Sequence, residues 1–239
     1  MSEVEKLVEI DEVSDSEELT DIDTTDSGER ETVEVYVDDL EDILKSLDEL
    51  ESEEDISTKI DRTLIEERNI YIEGTIDNST SSQVTAMIHY YNAIDNEKDI
   101  PIEERSSIKL YLNSPGGSLS SGKNILAAME GSKTPIETIS QGGQLASMAF
   151  VLFVGANIRK MSRHSEPMYH NLLAGVDGSF SEMKNQISYF ERLQNEMDEF
   201  VAERTKIPLK KMKKLRQKNQ DWHLTFNECR DYEVFTEQI

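Results

Sequence analysis

Between residues 62 and 239 short apolar runs alternate with segments of helical period, and this alternation constrains the fold more than any other feature of the chain. Residues 70–72, 109–112, 136–139, 158–161 and 168–170 read as strands. Residues 81–93, 119–129 and 179–205 read as helices, and a shorter helix begins at Ser147. The longest opens on a capping box, Ser179 and Glu182. Its apolar stripe is Met183, Ile187, Phe190, Leu193, Met197, Phe200 and Val201. Strands separated by helices are joined by crossovers rather than hairpins. The expectation is therefore an α/β fold with a largely parallel sheet under helical cover.

Charge divides the chain. The net charge is −24, and −21 of it falls in residues 1–61, which hold 25 Asp and Glu against 4 Lys and Arg. That segment has one aromatic residue, Tyr36. It cannot bury enough apolar surface to offset its ordering entropy and reads as a largely disordered acidic extension. Leu40, Ile43, Leu44, Leu47 and Leu50 suggest one short amphipathic helix within it. Residues 62–239 suffice for a single domain with its own core. The first residues lack the apolar stretch of a signal peptide, and no run is long enough to span a membrane. Cys229 stands alone, which fits a reducing, cytoplasmic setting. The acidity argues against nucleic acid as a partner. No metal-ligand spacing is evident, and no cofactor is expected.

Ser147 sits in GGQLASMAF (142–150), after a glycine pair and before the apolar run 148–154. A serine at the mouth of a helix lies beside unpaired N–H groups that can receive a developing oxyanion. A second glycine turn, Ser114-Pro115-Gly116-Gly117, follows the strand at 109–112. His170 lies in a short apolar strand, and Asp221 lies between Gln220 and Trp222. A Ser-His-Asp set needs only spatial convergence, so any chain order serves. Residues 117–124 nearly spell a phosphate-binding loop, but Asn124 stands where a Ser or Thr hydroxyl would bind magnesium. The basic run Lys210-Lys211-Met212-Lys213-Lys214-Leu215-Arg216 reads as a solvated helix face.

Taken together, the segments 64–77, KLYLNSPGGS (109–118), GGQLASM (142–148), MYH (168–170) and DWHLTFNECRDYEVF (221–235) resemble the Clp protease proteolytic subunit, the ClpP serine peptidases of the crotonase-like superfamily. Residues 62–239 carry the likeness. It implies a spiral of βαβ units with a protruding long handle helix at 179–205. It also implies Ser147 as nucleophile, His170 as general base and then acid, and Asp221 as the group that orients the imidazole. The oxyanion donors would be the N–H groups of Gly117 and Met148. Ser118, Leu119, Leu172, Leu173, Ala174 and Gly175 would flank an extended substrate. The implied function is hydrolysis of unfolded polypeptides inside a chamber of stacked homo-oligomeric rings, fed by an ATP-driven unfoldase of the AAA+ class. A phage-type capsid-maturation protease and a catalytically inactive structural subunit are the alternatives. The chain departs from the family pattern at Ala149-Phe150 and at Asn171-Leu172, and residues 100–107 look like an insertion.

Overall fold

A computed structural model of the chain describes residues 55–239. Residues 1–54 of the acidic extension expected over 1–61, with its expected helix at Leu40 to Leu50, lie outside the described residues, and its end, from Ile56, belongs to a helix. The elements in chain order are α1 (Ile56–Glu66), β1 (Asn69–Ile76), α2 (Asn78–Glu97), β2 (Ile108–Gly117), α3 (Leu119–Gly131), β3 (Ile136–Ser140), β4 (Gly143–Ala146), α4 (Met148–Gly155), β5 (Ile158–Met161), β6 (Ser165–Tyr169), α5 (Phe180–Arg204), α6 (Leu209–Gln217), β7 (Trp222–His223), α7 (Phe226–Asp231) and β8 (Glu237–Gln238). Strand and helix alternate except where β4 follows β3, β6 follows β5 and α6 follows α5 directly, and every strand pairing is parallel except β6 with β7.

The sheet forks at β2. One edge of β2 pairs with β1 along its length. The other pairs with β3 over Ile108–Tyr111 and then, at Ser114, with β4. From there β3 leads to β5 and β8, while β4 leads to β6 and β7. At the fork the Asn113 side chain replaces lost backbone pairing, because its Oδ1 accepts from Gln144 N at 3.1 Å. Opposite the fork β1 bulges at Gly74, whose φ of +69° suits a residue without Cβ. The buried Ser114 hydroxyl donates to the Gly74 carbonyl at 2.5 Å and accepts from Gly116 N at 3.0 Å. The serine of the Ser-Pro-Gly-Gly turn is thus a structural brace.

Helix α4 fills the fork, and all eight of its residues are buried. Around it lie Ile72, Ile76, Leu110, Ile125, Leu145 and Met161, each almost fully removed from water. Helix α2 is longer than the predicted span. Asp77 caps it by accepting from Thr80 N at 2.9 Å, and no helix breaker intervenes before Lys98. The near-match to a phosphate loop opens α3, where Asn124 donates to Ser81 and Thr85 of α2 and Lys123 pairs with Glu196. Those side chains tie helices together.

Two further anchors frame the body. Asp95 is fully buried and takes both guanidinium nitrogens of Arg68, at 2.5 and 2.7 Å, and the Thr134 hydroxyl at 2.7 Å. The Arg68 hydrogen bonds hold its carboxyl below the usual carboxylate range. Arg159 donates to the carbonyls of Ala156, Glu233 and Val234, which fastens the C-terminal segment against β5.

Helix α5 carries the predicted capping box. Its stripe is only partly covered. Leu193, Met197 and Val201 are buried, but Phe180, Ile187 and Tyr189 are exposed, and nothing between Phe180 and Arg192 is buried. The helix therefore projects from the body by its N-terminal half.

Candidate active site

Ser147 stands at the sharp turn from β4 into α4. Its φ is +55° and ψ −123°, a region that costs a non-glycine residue about 1–3 kcal/mol unless its surroundings impose it. They do so here. Ser147 N donates to Met168 O at 2.8 Å, which fixes the turn against β6, and Ser147 O accepts from Val151 N at 3.2 Å inside α4. The turn lifts the hydroxyl out of a helix that is otherwise buried.

His170 is the first residue beyond β6, and its Nε2 lies 2.8 Å from Ser147 Oγ. Because β4 and β6 are adjacent parallel strands, serine and histidine leave the same end of the sheet side by side. Asp221 immediately precedes β7, the antiparallel partner of β6, in which Met168 faces His223 and Tyr169 faces Trp222. Continuing that register by one residue sets Asp221 across from His170. Among the described residues, however, Asp221 makes no hydrogen bond to His170, and its side chain is exposed.

The glycine turn forms the wall opposite. A Cβ built on Gly116 would lie 2.6 Å from Ser147 Cβ, 2.7 Å from Ala146 O and 2.8 Å from Met148 N. Only a bare backbone fits that space, so Gly116 is the residue that lets the two glycine-bearing segments meet. Gly117 turns toward β1, where an added Cβ would strike Ile76 O at 2.3 Å. Met148 opens the first turn of α4, where N–H groups lack intrahelical acceptors.

A cleft of about 260 Å³ runs from this turn to the base of α5. Gly117, Leu119, Ser147, Met148, His170, Leu172 and Leu173 line it, with Leu193, Gln194 and Met197 from the helix. The other predicted substrate contacts lie outside it. Ser118 caps α3 through its hydroxyl, and its N–H is taken by Ile76 O at 2.7 Å. Ala174 and Gly175 are exposed in a segment beyond Leu173 that joins no strand. Among the described residues Leu173, Ala174 and Gly175 make no backbone hydrogen bond.

A buried polar cluster beneath the cleft escaped the sequence reading. Asp198 Oδ1 accepts from Tyr169 OH at 2.7 Å and from Gln194 Nε2 at 2.8 Å. The other face of the Gln194 amide, Oε1, accepts from Leu172 N at 2.6 Å. Arg216 Nη1 stands 3.4 Å from Asp198 Oδ2, an ion-pair contact that lacks hydrogen-bond geometry, and donates instead to Asn195 at 2.8 Å. Burial, followed by the Asp198 charge, drives the Tyr169 phenol far above its ordinary value, so it stays a donor. The available signal was Gln194 and Asp198 at i and i+4, inside the stripe formed by Leu193, Met197 and Val201. Among the described residues no group of three or more His, Cys, Asp or Glu is disposed to hold a metal ion, and no helix is long and apolar enough to cross a membrane.

Comparison with known proteins agrees with this architecture. The family described as Clp protease matches residues 51–237. The ATP-dependent Clp protease proteolytic subunit 2 of Bacillus licheniformis is 34% identical over 173 residues, covering 72% of this chain and 85% of that protein.

Proposed function

Because the chain belongs to the Clp protease family and so to the serine peptidases, we propose that it is an endopeptidase in which Ser147 attacks the peptide carbonyl. The observation that carries the reading is the 2.8 Å contact of Ser147 Oγ with His170 Nε2, at a positive-φ turn that opens a buried helix. His170 takes the hydroxyl proton as the Oγ–C bond forms, then delivers it to the leaving amine as the C–N bond breaks. Water hydrolyses the acyl-serine by the same steps in reverse. The N–H groups of Gly117 and Met148 receive the oxyanion, a role in which one donor is worth about 3 kcal/mol of barrier. Asp221 orients the imidazole once its side chain turns inward from its place across from His170. Leu119, Leu172 and Leu173 hold the substrate, and the unpaired backbone of residues 173–175 offers it a strand-like edge.

The active form is a stacked-ring homo-oligomer that encloses the clefts and is fed unfolded chains by an ATP-driven unfoldase. Two observations support this. The relative's name describes an ATP-dependent proteolytic subunit, and the projecting half of α5 carries exposed apolar side chains. The test is labelling of the full-length chain with a serine-directed fluorophosphonate, with native mass spectrometry for assembly. Label on the wild type and none on Ser147→Ala is expected. The unbonded Asp221 is the observation that favours a second reading, an inactive structural subunit. A folded wild type that takes no label establishes that reading and removes the first.

A further inference from the structure

The geometry points to Gln194 as a positioning residue for the peptidase reaction, joining the base of α5 to the substrate edge and to the strand that carries His170. The inference rests on the serine-peptidase reading. Both faces of the Gln194 amide are used: Oε1 accepts from Leu172 N at 2.6 Å, and Nε2 donates to Asp198 at 2.8 Å. Leu172 lies two residues past His170 and lines the cleft. Asp198 in turn accepts from Tyr169, the residue immediately before His170. One carboxylate thus anchors the chain before the histidine directly and the chain after it through the Gln194 amide. All of these groups are buried or half-buried, so water is a poor substitute for any of them.

The bond to Leu172 also sets where the free edge begins. Its N–H is committed to Gln194, whereas Leu173, Ala174 and Gly175 make no backbone hydrogen bond. Gln194 therefore presents residues 173–175 to a substrate in one register. Asn and Met cannot replace it. Asn is a methylene too short to span the same gap, and Met offers neither donor nor strong acceptor.

The test uses the full-length chain and an uncharged fluorogenic peptide. With Gln194→Ala, KM is expected to rise about tenfold while kcat falls by less than about threefold, because the register loosens but Ser147 and His170 persist. Gln194→Glu keeps the size and the acceptor but sets a second carboxyl against Asp198. Tyr169 from β6 and Arg216 from α6 are the titratable groups whose polar atoms reach that carboxylate. Two adjacent carboxyls share a proton at low pH and repel when both ionise. The Gln194→Glu to wild-type ratio of kcat/KM is expected to fall about tenfold between about pH 5 and about pH 9. Adding Asp198→Asn is expected to flatten that ratio, which a simple charge in the cleft would not do. Wild-type KM in Gln194→Ala, or a ratio that does not vary with pH in Gln194→Glu, overturns the assignment. Fluorophosphonate labelling of the wild type separates this from failure of the peptidase reading, since an unlabelled wild type refutes the latter alone.

Discussion

Gly116→Ala tests whether the glycine turn and Ser147 form a single packed unit. The added methyl would lie 2.6 Å from Ser147 Cβ, 2.7 Å from Ala146 O and 2.8 Å from Met148 N. Carbon contacts become favourable only at about 3.5 Å, so one side must retreat by about 0.7–0.9 Å. None of the three atoms is the end of a flexible side chain, and behind them lies the fully buried α4. The relief must come from the turn itself, which moves Ser147 away from His170. A displacement near 1 Å in catalytic geometry costs on the order of a hundredfold in rate. Gly116 also has φ +94°, so the methyl adds about 1 kcal/mol of backbone strain to about 1–3 kcal/mol of overpacking. The expected result is a labelling rate at Ser147 lowered about thirty- to a hundredfold, with stability in urea lowered by about 2–4 kcal/mol. Gly131→Ala is the control. It ends α3, a methyl there meets nothing within 4 Å, and wild-type labelling is expected. Wild-type labelling by a folded Gly116→Ala protein would refute the claim that the two segments are locked together.

Two further outcomes follow from the burial of charge and from the register of β7. Asp95→Asn weakens the clamp on Arg68 and is expected to cost about 3 kcal/mol in chemical denaturation, as breaking a buried ion pair does. Since Arg68 holds the Asp95 carboxyl below its unfolded value near pH 4, the pair contributes its full stability above that pH. That contribution is lost as pH falls through the folded value, so wild type and Asp95→Asn should converge in acid, as thermal melts between about pH 2 and about pH 7 will show. Asp221→Asn is expected to slow fluorophosphonate labelling by at least about a hundredfold if Asp221 turns in to orient His170; an unchanged rate excludes that role.

The local patterns that made the fold legible are those with a fixed period or a steric requirement. The capping box at Ser179, the parallel strands and the glycine turns all follow from such patterns. The strands β4, β7 and β8 are not legible: β7 and β8 are two residues each and establish no period, and β4 opens on Gly143-Gln144, which carry no strand pattern and pair through neighbours distant in sequence. The stripe on α5 read as uniformly apolar, yet only its C-terminal half is buried, because periodicity records a face and not how far its cover extends. Ser147 and His170 were legible through their surroundings. Gln194 was not, since a glutamine within a helix looks the same whether it meets water or a buried carboxylate.

The two walls of the cleft differ in how firmly they are held. Ser147 leads into α4, a helix with no exposed residue, so the turn that carries it loosens only when the core itself opens. Across the cleft, residues 173–175 make no backbone hydrogen bond, and the point from which they extend is held by one glutamine. If Ser147 and residues 173–175 act as proposed, heat or denaturant is expected to abolish alignment of a polypeptide before it abolishes reaction of Ser147 with a small electrophile.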